Sequence, residues 1–195
     1  RIGLPSGPAT IASASLVAAT PLAVNPNDSV TPAMPDYCRV LGSIAPLDPR
    51  APRIQFQVNL PTVWNGKGLQ YGGGGLNGVL ISGLAPLRDA PADVAPPLAR
   101  GYLTLGTDSG HQLAAHPPTE LGAWALNDEA LENFAYASYK KVRDVAVAAA
   151  RSIYGRAPAK LYFYGGSEGG REGLTMAQRF PADYDGIASV VPVIN

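Results

Sequence analysis

Gly165-Gly166-Ser167-Glu168-Gly169 is the stretch of this 195-residue chain in which residue type and spacing speak most directly of chemistry. It fits G-x-S-x-G, in which a serine sits on a tight strand-to-helix turn with its hydroxyl raised above a sheet. The flanking glycines would let strand and helix approach without side-chain clashes. The pattern alone is weak, because with 22 glycines in the chain about one sequence in seven of this composition would show it by chance. Its neighbours strengthen it: residues 161–164 read as a short buried strand, and a helical pattern spans 169–180 and stops at Pro181. The bland alternative is a Gly-rich turn with a capping serine. The chemical reading makes Ser167 a nucleophile whose oxyanion would meet the Glu168 N–H at the helix start.

A second oxyanion donor is expected from Gly72-Gly73-Gly74-Gly75, which follows a strand ending at Tyr71. Four glycines bring bare N–H groups close to a substrate carbonyl, and Gly74 and Gly75 are the candidates. The same residues support a rival. Gly73, Gly75 and Gly78 match G-x-G-x-x-G, and Asp93 lies where a dinucleotide site would want an acid. That fingerprint needs a helix at once, and Gly83, Pro86, Pro91, Pro96 and Pro97 argue against one.

The base is harder to find. In α/β-hydrolases the triad runs serine, acid, histidine along the chain. Both histidines, His111 and His116, precede Ser167. Asp108 and His111 are too near each other to occupy separate elements, and are read as fixing the loop after a strand. His116 is read as a loop residue beside Pro117. The acid and the base are therefore expected on sequence beyond Asn195, on a continuation or a second polypeptide. An apolar strand at 187–193 would otherwise leave an unpaired edge, which natural sheets avoid.

The elements around these residues read as an α/β fold. Residues 11–17 form a strand in an otherwise irregular N-terminal arm. Residues 54–60 alternate apolar and polar, which predicts a half-buried strand with one wet face near an antiparallel edge. Residues 68–71, 102–107, 161–164 and 187–193 are short, apolar and bounded by Gly or Pro, as for parallel strands covered on both faces. A long helix is predicted from Asn127, a capping residue, to Tyr154, with Gly155 as its stop. The 15 basic and 15 acidic residues cancel, so no basic surface invites nucleic acid or anionic lipid. No apolar run reaches the roughly 18 residues a spanning helix needs. The single cysteine rules out an intrachain disulfide, and two histidines leave little for a metal cluster.

Taken in order, Asp36-Tyr-Cys-Arg-Val40, Leu60-Pro-x-x-Trp-Asn-Gly66, the four glycines, Gly106-Thr-Asp-Ser-Gly-His111, Gly165-Gly-Ser-Glu-Gly-Gly-Arg-Glu-Gly173 and Ala177-Gln-Arg-Phe-Pro-x-x-Tyr-Asp-Gly186 resemble the tannase and feruloyl esterase family. The resemblance covers nearly the whole chain. It implies an α/β-hydrolase fold, here only its N-terminal portion: residues 1–50 as arm and antiparallel strands, 51–195 as the mostly parallel core. It implies a serine esterase, secreted or periplasmic, acting on esters of aromatic acids, with a lid domain inserted after the sheet's sixth strand. It implies no cofactor for the chemistry, and allows a structural calcium in that lid. Two departures stand out. Members of that family usually carry a cysteine before the nucleophile, bonded to one after the catalytic histidine, and here that position is Gly166. Cys38 likewise lacks the N-terminal partner the resemblance implies; without one it reads as a small buried apolar residue.

Overall fold

The computed structural model describes residues 8–27, 30–91 and 93–194. Seven strands form one sheet in the order β1 (Ala9–Val17), β4 (Tyr37–Ile44), β5 (Ile54–Pro61), β7 (Leu103–Thr107), β6 (Lys67–Tyr71), β8 (Lys160–Gly166) and β9 (Gly186–Val190). A two-stranded ribbon, β2 (Ala23–Val24) with β3 (Val30–Thr31), lies apart in the arm. The first three pairings, β1–β4, β4–β5 and β5–β7, are antiparallel, and β7–β6, β6–β8 and β8–β9 are parallel. This is the mixed α/β sheet expected, with its antiparallel strands at the N-terminal side.

Chain order reverses at one place in this sheet. From β6 the chain goes to β7 on one side, then returns through the helices to β8 on the other. The carboxyl ends of β6 and β8 therefore lie side by side with diverging connections, and such a switch point opens a crevice for ligands. Gly72 follows β6 there, and Ser167 follows β8.

The helices cover one face. After the Asn127 cap, whose side chain accepts from the Ala130 N–H, come α1 (Asp128–Glu132), a π turn at Asn133–Ala137, and α2 (Ser138–Tyr154), which ends at left-handed Gly155. The single predicted helix is thus interrupted. The wide turn is held by Ser138 Oγ donating to the Asn133 carbonyl at 2.7 Å, and it changes the phase of the apolar stripe. Leu131, ahead of that turn, is 45% exposed rather than in the core, and Ile153, in the last turn of α2, is 58% exposed. Tyr139, Val142, Val145, Ala146 and Ala149 are buried at helical spacing, and α2 packs on β5 and β7. The second helix, α3 (Glu168–Arg179), packs on β8 and β9, and Met176 reaches the same core.

Two expectations about strands need correction. β5 is not an edge strand and only Gln55 on its polar face is wet: it sits third in the sheet, and Gln57 and Asn59 are 6% and 0% exposed. The chain between β6 and β7 folds back over that face, and the polar residues satisfy one another beneath it. Gln57 Nε2 donates to Asn59 Oδ1 at 2.8 Å, while Asn59 Nδ2 donates to the Ser82 carbonyl at 2.7 Å and to Thr104 Oγ1 at 2.9 Å. β9 errs the other way. It ends at Val190, and Ile187 and Val190 are only half-buried because β9 pairs with β8 alone among the described residues.

Removing one member of a buried polar ladder leaves its partners desolvated and unpaired, which costs more than the bond itself contributes. Asn59→Ala is expected to destabilise by about 1–3 kcal/mol. Its urea unfolding midpoint should fall while the slope of the transition stays the same.

Candidate active site

Ser167 alone makes the turn from β8 into α3. Its backbone sits at φ 57°, ψ −118°, a region that side chains rarely occupy, and such a conformation costs on the order of 1–3 kcal/mol. It persists because its surroundings fix both ends. The Ser167 N–H donates to the Val190 carbonyl at 3.0 Å, and its carbonyl accepts from the N–H groups of Gly170, Arg171 and Val193. The close approach that follows needs glycine. A Cβ on Gly165 would stand 2.1 Å from the Gly169 carbonyl oxygen, and one on Gly169 would stand 2.7 Å from the Gly73 carbonyl oxygen. The helix after Ser167 thus presses directly on the glycine chain after β6.

That chain is ordered by its own N–H groups. Gly72 donates to the Tyr164 carbonyl at 2.8 Å, continuing the β6–β8 ladder. Gly73 donates to Glu172 Oε2 at 2.8 Å, and Gly74 to Asn77 Oδ1 at 2.7 Å. Gly75 and Asn77 both take positive φ, 58° and 56°, closing a tight turn in which the Asn77 N–H donates back to the Gly74 carbonyl at 2.9 Å. A cavity of about 370 Å³ lies above, lined by Tyr71, the four glycines, Ala85, Pro86, Arg88, Tyr164, Gly165, Gly166 and Ser167. Ser167, Gly74 and Gly75 therefore meet at one site. Arg88 is the charged side chain in that lining, and the Tyr164 hydroxyl is buried without a partner among the described residues.

Glu168 contributes its backbone at the start of α3. Its carboxylate turns aside to Arg171, whose Nε donates to Glu168 Oε1 at 2.7 Å, and Arg171 also lies over the Phe134 ring. Glu172, one turn on, was given no role by sequence reasoning and is tied into a buried hydrogen-bond network beneath the cavity. Fully buried, it accepts from the Gly73 N–H, from Asn77 Nδ2 at 2.6 Å and from the Tyr139 hydroxyl, which also contacts Ser109 Oγ at 2.6 Å. Burial lifts its carboxyl to about 7 even though these three donors favour the charged form, and neighbouring Glu168 adds to the rise. The available signal was a glutamate set among glycines on a helix that must bury its glycine face.

Asp108 and His111 are placed as read from sequence, in the loop after β7. Asp108 accepts from the N–H groups of Gln55 and Gly110 and from Gln112 Nε2, and burial raises it to about 6. His111 is fully buried, stacked on Trp124 at 3.9 Å, and burial lowers it to about 4. Its Nε2 lies 2.8 Å from the Leu76 carbonyl, which can only accept, so that nitrogen carries the proton. Neither histidine lines the Ser167 cavity; His116 borders a separate hollow with Asp48 and Trp124. The dinucleotide reading fails on local structure. Among the described residues no helix follows Gly78 before a 3₁₀ turn at Leu98–Arg100, and Asp93 lines a different cavity with Leu22 and Val30. At Gly166 an added Cβ would meet nothing closer than 3.8 Å, so space does not demand glycine there. Cys38 is a free thiol, half-buried against the core.

Because glycine adopts positive φ without strain, Ser167→Gly is expected to stabilise the fold by about 1 kcal/mol. A thermal unfolding midpoint raised by a few degrees would show it; a lowered one would contradict a strained turn.

The family described as "Tannase and feruloyl esterase" matches residues 38–195. An uncharacterized esterase of Agrobacterium fabrum is 47% identical over 199 aligned residues, which take in 100% of this chain and 33% of that protein. The mono(2-hydroxyethyl) terephthalate hydrolase of Piscinibacter sakaiensis is 39% identical over 166 residues, 82% of this chain and 27% of that protein. Among solved structures, feruloyl esterase B from Aspergillus oryzae superposes with a TM-score of 0.74 at 26% identity, over 98% of this chain and 35% of that one. The chain thus spans about a third of the length of these relatives. Its sheet and helices are those of the α/β-hydrolase esterases, as the strand order and the motif sequence had implied. With residues 38–195 matched, the chain belongs to the tannase and feruloyl esterase family.

Proposed function

We propose that this chain is the nucleophile-bearing portion of a serine esterase acting on esters of aromatic acids. The observation that carries the reading is Ser167 in its strained turn, sharing one cavity with Gly74 and Gly75. Ser167 Oγ attacks the ester carbonyl and gives its proton to a base. The tetrahedral oxyanion is met by the Glu168 N–H at the start of α3 and by an N–H of the glycine loop. Collapse expels the alcohol and leaves an acyl-enzyme, which water then hydrolyses.

Acid and base are assigned to residues outside this chain, on its continuation or on a second polypeptide. Each step is acyl transfer and proton transfer, so the reaction as drawn needs no cofactor; a calcium ion would be structural, in a lid domain. Tyr71, Pro86 and Tyr164 supply flat walls suited to an aromatic acyl group. The relatives named for feruloyl and terephthalate esters support that substrate class. A secreted or periplasmic location goes with the same reading.

The test uses the full-length protein that carries this chain. A fluorophosphonate should label Ser167, and feruloyl or terephthaloyl monoesters should be hydrolysed. Ser167→Ala should lower kcat at least 1,000-fold, on the order of other nucleophile deletions, and abolish labelling. Turnover that survives Ser167→Ala, or a label carried elsewhere, would refute the assignment.

A further inference from the structure

We infer that Glu172 and Asn77 are positioning residues: together they orient the glycine loop so that the Gly75 N–H is left as its free donor beside Ser167. This rests on the esterase reading and assigns the donor that the loop's sequence left open between Gly74 and Gly75.

Consider the four successive N–H groups. Gly72 is engaged by the Tyr164 carbonyl, Gly73 by Glu172 and Gly74 by Asn77. The Gly75 N–H meets no acceptor among the described residues, and a Cβ there would find open space, so this residue faces the cavity. Oxyanion stabilisation depends on donors fixed before the charge develops. A run of four glycines has no side chains to hold it and loses more conformational freedom on ordering than any other sequence. Something outside the run must therefore fix it. Glu172 does so from α3, the helix that presents Ser167, so one rigid element sets both nucleophile and donor. Asn77 links the two halves, giving Nδ2 to Glu172 and Oδ1 to the Gly74 N–H. The far end is pinned as well, by His111 Nε2 on the Leu76 carbonyl.

The hydrogen-bond inventory explains why the clamp is a carboxyl. Three donors converge on its two oxygens: the Gly73 N–H on Oε2, with Asn77 Nδ2 and the Tyr139 hydroxyl on Oε1. A glutamine has one oxygen and one NH₂ group. If its oxygen faces Asn77, its NH₂ opposes the Gly73 N–H; if flipped, its NH₂ opposes Asn77 Nδ2. Either orientation sets donor against donor next to the loop. The Tyr139 hydroxyl belongs to the same network, since it also accepts from Asn77 Nδ2 at 3.2 Å.

The experiment compares Glu172→Gln and Asn77→Ala with wild type in the full-length protein. Loss of one oxyanion donor costs about 100- to 1,000-fold in kcat, so a misplaced donor in Glu172→Gln and Asn77→Ala should lower kcat by about 30-fold or more. Their KM should stay within about threefold of wild type, because the ground-state ester makes little use of this donor. Amide hydrogen exchange at Gly73 should quicken in Glu172→Gln, and at Gly74 in Asn77→Ala, with the rest of the sheet still protected. Unchanged kcat, unchanged exchange, or a KM rise matching the kcat loss would each overturn the proposal. If Glu172→Gln does not fold, Asn77→Ala decides. A wild-type protein without ester turnover would sink the esterase reading, whereas protection at Gly73 and Gly74 reports the clamp independently of turnover.

Discussion

The contact between α3 and the chain after β6 governs the geometry of everything around the cavity. Glycine meets glycine there: a side chain on Gly169 or Gly72 would drive backbone into backbone, with Cβ contacts of 2.7 and 2.8 Å. Such an approach gives little apolar area to bury, so it is not held by the hydrophobic effect at that point. It is held by the Glu172 carboxyl, which reaches across from helix to loop. A buried carboxyl is costly unless its oxygens are satisfied, and here they meet three donors. Removing any one donor would return part of that desolvation cost, which makes the arrangement close to all-or-none.

The strain at Ser167 follows from the same contact. A helix that begins immediately after a strand and runs back over it leaves one residue to reverse the chain direction. The apolar surface of α3 and α2 on the sheet is what offsets that strain. Met176, Phe163, Tyr139 and Leu105 are all essentially fully buried, and burial of side chains that size contributes on the order of 1.5–3 kcal/mol each. The turn therefore stays in place as long as the core beneath it packs, and the hydroxyl it carries is held above the sheet without contributing to stability.

Much of this was legible from residue order. The first strand and those from residue 54 onward, the Asn127 cap, the Gly155 stop and the Ser167 turn have local causes, such as periodicity, punctuation and glycine spacing, and the structure places them within a few residues, whereas β4 at Tyr37–Ile44 was not singled out. What was not legible depends on long-range covering. The Gln57 and Asn59 side chains look solvated in sequence because polar alternation usually means water; here a loop more than twenty residues away supplies the acceptor at Ser82. The π turn at Asn133–Ala137 is invisible for a similar reason, since Asn133 is drawn in by packing against Gly110. Glu172 was seen as part of a motif but not as a clamp, because its partners Gly73, Asn77 and Tyr139 come from two other elements.

Asp108 and His111 mark the limit of reading chemistry from residue type. An acid, a histidine and the candidate serine are all present, and the first two stand only three positions apart. Their environment gives them other work. Asp108 ties β5 to the loop after β7 through the Gln55 N–H. His111 is kept neutral by burial, and its protonated nitrogen is committed to the Leu76 carbonyl, just past the glycine run. A general base needs a free lone pair within reach of the hydroxyl it deprotonates. The bare nitrogen of His111, Nδ1, lies buried without a partner among the described residues, in a ring stacked on Trp124. Chain order already pointed this way, since two residues on one short loop cannot approach a serine as a triad's acid and base do, from separate strand ends. What the structure adds is the positive role. The histidine that fails as a base steadies the loop whose N–H would receive the oxyanion, so it serves the same cavity through the backbone.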